Sequence, residues 1–181
     1  MTHRNWIVSL VIHHESRLTR YAQRLTGDLE SARDVVQHTF LRLCDETPET
    51  IEDVRAWLYT VCHHRAIDVR RQAIRVVSLD GGTGCNDEPT LPPSVYSREI
   101  DPALSAELKD AAHILERVVD LLPESQRQVI NLWAEGFCYR EISQITGRNE
   151  AYVRVLAHRG FQEMRRHPLA KQLMKESHVA R

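Results

Sequence analysis

The sequence predicts an all-α chain of two helical domains joined by a flexible acidic linker, and three observations carry that prediction. Apolar residues recur at the helical period along both halves, and no stretch shows the strict alternation of a half-buried strand. Between the halves, residues 78–102 (SLDGGTGCNDEPTLPPSVYSREIDP) hold three of the seven glycines and four of the seven prolines, a composition that favours extended, mobile backbone. Acid collects in the same place: residues 77–112 carry seven acidic and two basic side chains, against ten and eleven in 1–76 and eight and eleven in 113–181.

Each helix has its own signals. Asn5 is positioned to cap a first helix with apolar positions Trp6, Leu10, Ile12, Leu18, Tyr21 and Leu25, ending near Gly27. Asp28 caps the next, Leu29 to Cys44, whose buried stripe is Leu29, Ala32, Val36, Phe40 and Leu43. That stripe leaves Asp34, Gln37 and Leu41 outward. An acidic loop, Asp45 to Asp53 (DETPETIED), separates this helix from a third, running from about Val54 to Val76. There Trp57, Leu58, Val61, Cys62 and Val69 are placed to face the other two helices. Thr60, His63, His64, Ile67, Arg70, Arg71 and Ile74 fall in another broad sector, and Arg65, Arg70, Arg71 and Arg75 are opposed only by Asp68. Trp57 and Tyr59 are candidates to stack on unpaired bases, since every base offers a π-face, or else to fill core and rim.

Past the linker, Asp101 followed by Pro102 is a cap and first position for a helix from Ala103 to Leu121. Pro123 is expected at the first position of the next helix, with Glu124 on its positive end; Val129, Ile130, Leu132 and Trp133 keep the period until Gly136. A short helix, Tyr139 to Thr146, buries Ile142 and Ile145, and Gly147 supplies a tight turn. The last helix, from about Asn149 to Arg166, puts Val153, Leu156, Ala157, Gly160 and Met164 on one side. The other side collects Arg154, His158 and Arg165, with Ala151, Val155 and Gln162 beside them and Arg159 at the flank. From Gly147 to the end there are eight Lys/Arg against three acids. This pattern predicts a helix-turn-helix whose last helix enters the major groove, where arginine donates two hydrogen bonds to guanine and small apolar groups touch the thymine methyl.

The 181 residues, 42% hydrophobic, allow one or two small domains with real cores, and charges nearly cancel at 24 basic and 25 acidic. No run of 18 apolar residues exists and the N-terminus lacks the apolar core of a signal peptide, so no direct membrane insertion and a cytoplasmic location are expected. Cys44, Cys62, Cys85 and Cys138 are widely spaced, which indicates neither a zinc site nor a disulfide framework. Cys62-His63-His64 invites a metal reading, but neighbours on a helix diverge by 100° and do not converge on one ion. No metal and no cofactor are expected. Nor is there a Gly-rich phosphate loop, a carboxylate pair on a strand scaffold or a nucleophile grouping, so no catalytic residue is assigned and the chain is not expected to be an enzyme.

Several stretches together resemble one family, the extracytoplasmic-function (ECF) subfamily of the sigma-70 family of bacterial RNA polymerase sigma factors. RLTGDLESARDVVQHTFLRL is similar to the family's polymerase-clamp region, AWLYTVCHHRAIDVRRQ to its promoter-melting and -10 region, and LLPESQRQVINLWAEGFCYREISQITG with VRVLAHRGFQEMR to its -35 region. The resemblance implies sigma region 2 over 1–76, a flexible acidic linker over 77–102 that threads the polymerase channels, and sigma region 4 over 103–181. It implies polymerase contact through Asp34, Gln37 and Leu41. For the -10 region it implies DNA contact through Trp57, Thr60, His63, His64, Arg70 and Arg71, and for the -35 region through Arg148, Arg154, Val155, His158, Arg159 and Arg165. The implied partners are core RNA polymerase, promoter DNA and an anti-sigma factor, commonly membrane-anchored. Departures from the family pattern are Arg33 in place of an acid, His64 in place of an asparagine, NEAYVRVL at the start of the last helix and Val155 in place of a frequent serine. The alternative is a polymerase-independent helix-turn-helix regulator that binds DNA as a dimer, which leaves residues 1–76 unexplained. A helical phosphohydrolase would want a His-Asp dipeptide, and the ten histidines include none.

Overall fold

Seven helices, and no strand, make up the described residues of the computed structural model, which are 3–79 and 106–171. In chain order they are α1 (His3–Thr26), α2 (Leu29–Cys44), α3 (Val54–Leu79), α4 (Ala106–Asp120), α5 (Glu124–Ala134), α6 (Tyr139–Thr146) and α7 (Glu150–Arg166). Two compact units result: α1, α2 and α3, with which residues 140–148 are grouped, and α4, α5 and α7. Beyond Leu79 the expected linker, the Asp101-Pro102 start and Cys85 lie outside the described residues.

The first unit is a three-helix bundle in which every pair of helices packs. Its core is Leu18, Tyr21, Ala22 and Leu25 from α1, Ala32, Val35, Val36 and Leu43 from α2, and Leu58, Tyr59, Cys62 and Ala66 from α3. Gly27, at φ +93°, reverses the chain after α1, and Asp28 Oδ1 accepts from Ser31 N at 2.7 Å to start α2. Asp53 Oδ1 accepts from Ala56 N at 3.0 Å and does the same for α3. Thr39 is fully buried and returns its hydroxyl proton to the Val35 carbonyl at 2.8 Å, so the core keeps no loose donor there.

Several expectations need correction. Asn5 lies inside α1, which begins at His3, and Ile12 is 72% exposed because the helix's inward stripe starts only at Leu18. Leu29 is exposed, while Val35 and Thr39 complete the α2 stripe. In the second unit Pro123 caps α5 from outside, with φ −50° and ψ 143°, instead of occupying its first turn. Val129, Ile130 and Leu132 are buried as expected, but Trp133 is half-exposed, its ring edge-on to Phe161 at 4.9 Å. α5 and α7 meet closely at Gly160: a Cβ there would stand 3.0 Å from Ile130 Cγ1, so a larger side chain requires Ile130 to give way.

Candidate nucleic-acid and polymerase interfaces

The helix-turn-helix is closed by local chemistry. Gly136 at φ +90° and Gly147 at φ +66° supply the left-handed backbone after α5 and α6. Across the second turn Ser143 Oγ donates to Arg148 O at 2.6 Å while Arg148 N donates to Ser143 O at 3.2 Å, a reciprocal clasp that fixes where α7 begins. Asn149 Oδ1 then accepts from Ala151 N at 2.8 Å and caps α7.

α7 sorts its residues cleanly. Val153, Leu156, Ala157 and Gly160 are buried, and Ala151, Arg154, Val155, His158, Arg159, Gln162 and Arg165 are all exposed. Arg148, in the turn, is half-buried. Two of the exposed side chains are held by a neighbour one turn away. Arg154 Nη2 donates to Glu150 Oε1 at 2.6 Å, and Gln162 Nε2 meets His158 Nε2 at 3.0 Å. With Gln162 donating, the imidazole accepts at Nε2. Tyr152, 49% exposed, adds an aromatic to this surface that the charge pattern does not reveal. The Glu150–Arg154 pair was legible from the four-residue spacing alone, because such residues are neighbours on a helix.

On α2, Asp34, Gln37 and Leu41 form an outward row, with Leu41 60% exposed. Taken alone, one aliphatic side chain open to water beside a carboxylate and an amide is ordinary protein surface.

On α3 the six expected DNA-facing residues do not share one face. His64 and Arg71 are exposed, Trp57 and Thr60 are half-buried, and His63 and Arg70 are buried at 4% exposure each. The reason is the wheel itself: Tyr59, His63, Ala66 and Arg70 are spaced four, three and four residues apart and make one inward stripe. The expectation that His63 and Arg70 face outward is therefore corrected. So is the base-stacking reading of Tyr59, which is buried with its ring 5.0 Å from that of Tyr21. His63 Nδ1 and the Tyr21 hydroxyl share a hydrogen bond of 2.8 Å; the phenol donates when the imidazole proton sits on Nε2. Burial, reinforced by neighbouring positive charge including that of His64, lowers the His63 pKa to about 3. Burial also lowers that of His14, with His13, Arg17 and Arg55 adding to it. Burial pushes the Cys62 thiol up to about 12 against a hydrogen bond with Thr39, so this cysteine is an inert core group. Among the described residues no group of His, Cys, Asp or Glu is arranged to hold a metal ion, and no helix is long and apolar enough to cross a membrane.

Comparison with known proteins agrees with the two-part layout. The family model for sigma-70 region 2 matches residues 10–76, and that for sigma-70 region 4 matches residues 112–164. The chain is 33% identical over 161 residues to the ECF RNA polymerase sigma factor SigL of Mycobacterium tuberculosis, covering 87% of this chain and 85% of that one. It is 27% identical over 158 residues to the RNA polymerase sigma factor CarQ of Myxococcus xanthus, covering 86% and 85%. The fold is similar, with a TM-score of 0.68 at 19% identity, to the sigma factor RpoE of Bartonella quintana, solved in complex with the anti-sigma factor NepR; the match covers 95% of this chain and 98% of that one.

Proposed function

The chain belongs to the ECF subfamily of the sigma-70 family of RNA polymerase sigma factors, and on that premise we propose how its surfaces divide the work. A sigma factor binds core polymerase, directs it to specific promoters and assists melting; it regulates transcription, and the nucleotidyl transfer belongs to its partner. In our reading residues 1–76 form region 2 and residues 103–181 region 4, with 77–102 between them. The outward row of Asp34, Gln37 and Leu41 docks on the polymerase. His64 and Arg71, with Trp57 and Thr60 at the edge of the bundle, serve the -10 element. Arg148, Arg154, Val155, His158, Arg159 and Arg165 serve the -35 element, the arginines supplying phosphate attraction as well as base contact. His63 and Arg70 support the shape of region 2 from within.

The observation that carries this reading is the presence, in one chain and in order, of an outward apolar-acidic row on α2 and an exposed basic face on α7. A polymerase-independent dimeric regulator needs only the second. An anti-sigma factor that covers these faces is the expected partner, by analogy with the complex of the Bartonella protein, and the cytoplasm, where polymerase works, is the expected compartment.

The test is binding of the full-length protein to core RNA polymerase. Leu41→Arg buries a charge in the docking row and should weaken the complex at least tenfold, corresponding to about 1.4 kcal/mol or more. Undiminished binding would move the docking site off α2.

A further inference from the structure

Arg154 is held from two directions. Its Nη2 donates to Glu150 one turn back at 2.6 Å, and its Cζ lies over the ring of Tyr139, the first residue of α6, 5.3 Å from the ring centre. With side chains 62% and 39% exposed, the Arg154–Glu150 pair adds little to stability. What the two contacts fix is direction. A cation over a ring face and a carboxylate at one nitrogen together restrict a planar fork that otherwise samples many rotamers, and they leave its other N–H donors open.

Glu150 is also out of place on a surface built for affinity. It sets a negative charge on a helix that faces phosphates, where each added anion weakens binding to every sequence alike. An arginine reads guanine only when its two donors meet O6 and N7 together, so a residue that aims the fork improves discrimination even while it lowers attraction.

We propose that Glu150 and Tyr139 are positioning residues that hold Arg154 in the orientation in which it reads a guanine of the upstream element, Glu150 thereby raising specificity at the expense of affinity. This deepens, and rests on, the assignment of α7 to the -35 element. Glu150 is also the first residue of α7, where a carboxylate complements the helix dipole; that role would appear in stability and not in base preference.

The experiment uses holoenzyme assembled from core RNA polymerase and the full-length factor. It selects bound DNA from a pool in which the upstream element of a mapped promoter is randomised. The wild type should fix a guanine at one position, and Arg154→Ala should lose that preference there. Glu150→Gln and Tyr139→Leu should each reduce the preference roughly tenfold at the same position, while Tyr139→Phe, which keeps the ring, retains it. On the unselected pool Glu150→Gln should bind as tightly as the wild type or a few-fold tighter. An unchanged guanine preference in Glu150→Gln and Tyr139→Leu, while Arg154→Ala loses it, overturns the positioning role and leaves the function intact. A loss at a neighbouring position in Glu150→Gln would make Glu150 a direct reader, accepting from a cytosine amino group, and also overturns it. A wild-type holoenzyme that selects no sequence removes the function itself.

Discussion

α3 and α7 both carry arginines and histidines expected to face DNA, yet they dispose of them differently. α7 has an unambiguous apolar side, Val153, Leu156, Ala157 and Gly160, so whatever is polar goes outward, and every residue expected on its outward side is exposed. α3 is long and weakly amphipathic, and its inward stripe takes in His63 and Arg70 with Tyr59 and Ala66. The difference teaches that residue type predicts exposure only where the apolar residues are gathered on one side of the helix. Where they are spread around the helix, as on α3, the inward stripe also takes in polar groups, and these are buried with partners, as His63 is with Tyr21.

The contrast predicts its largest effect in a pair of tyrosines. Tyr59→Ala empties a fully packed site on α3 and should cost about 3 to 5 kcal/mol in urea unfolding, whereas Tyr152→Ala on the open surface of α7 should stay within about 0.5 kcal/mol. Similar losses for both would erase the distinction between the helices.

Gly160→Leu tests the closed side of α7. Driving a side chain into Ile130 should cost about 1 to 3 kcal/mol, and a neutral result would mean that α5 and α7 are not in close contact there.

Acid tests the buried polar stripe of α3. The unfolded His63 takes a proton near pH 6.5 and the folded one only near 3, so the unfolded state binds more protons between those values. Stability attributable to His63 is therefore complete above pH 6.5 and is lost as pH falls toward 3. Between pH 6.5 and 5.5 the loss from this group should be about 1 kcal/mol, and His63→Gln should flatten that part of the stability curve. An equally steep curve in the variant would place the titration elsewhere.

The smallest effect is electrostatic. Arg165→Ala should leave stability unchanged and, if Arg165 touches a phosphate, reduce the salt-dependence slope of DNA binding by about one.

Much of this architecture was legible beforehand for identifiable reasons. Gly27, Gly136 and Gly147 mark left-handed turns that other residues avoid, Asp28 is a cap, and α7 gathers its buried apolar residues on one side. The outward row Asp34, Gln37 and Leu41 follows from the inward stripe of α2 in the same way. The core role of His63 and Arg70 was not legible, and that of His63 depends on Tyr21, 42 residues away, supplying the partner; for Tyr59 the sequence left base stacking and core both open, and the structure places it in the core. The exposure of Trp133 was missed because hydropathy assigns a large ring inward, while the chain covers one edge of it with Phe161 and leaves the rest open. Tyr139 beneath Arg154 joins two helices across a turn, a relation that periodicity within either helix does not contain.

The central claim is that one factor couples polymerase binding on α2 to upstream recognition on α7. It is tested most directly by transcription in vitro on fragmented genomic DNA with core RNA polymerase, mapping RNA starts for the wild type, Leu41→Arg and Arg154→Ala. The account predicts that the wild type creates starts sharing paired upstream and downstream elements, that Leu41→Arg creates few or none, and that Arg154→Ala weakens the starts according to their upstream sequence. No new starts with the wild type, while the protein alone still retards specific DNA, would contradict it and identify a regulator that acts without polymerase.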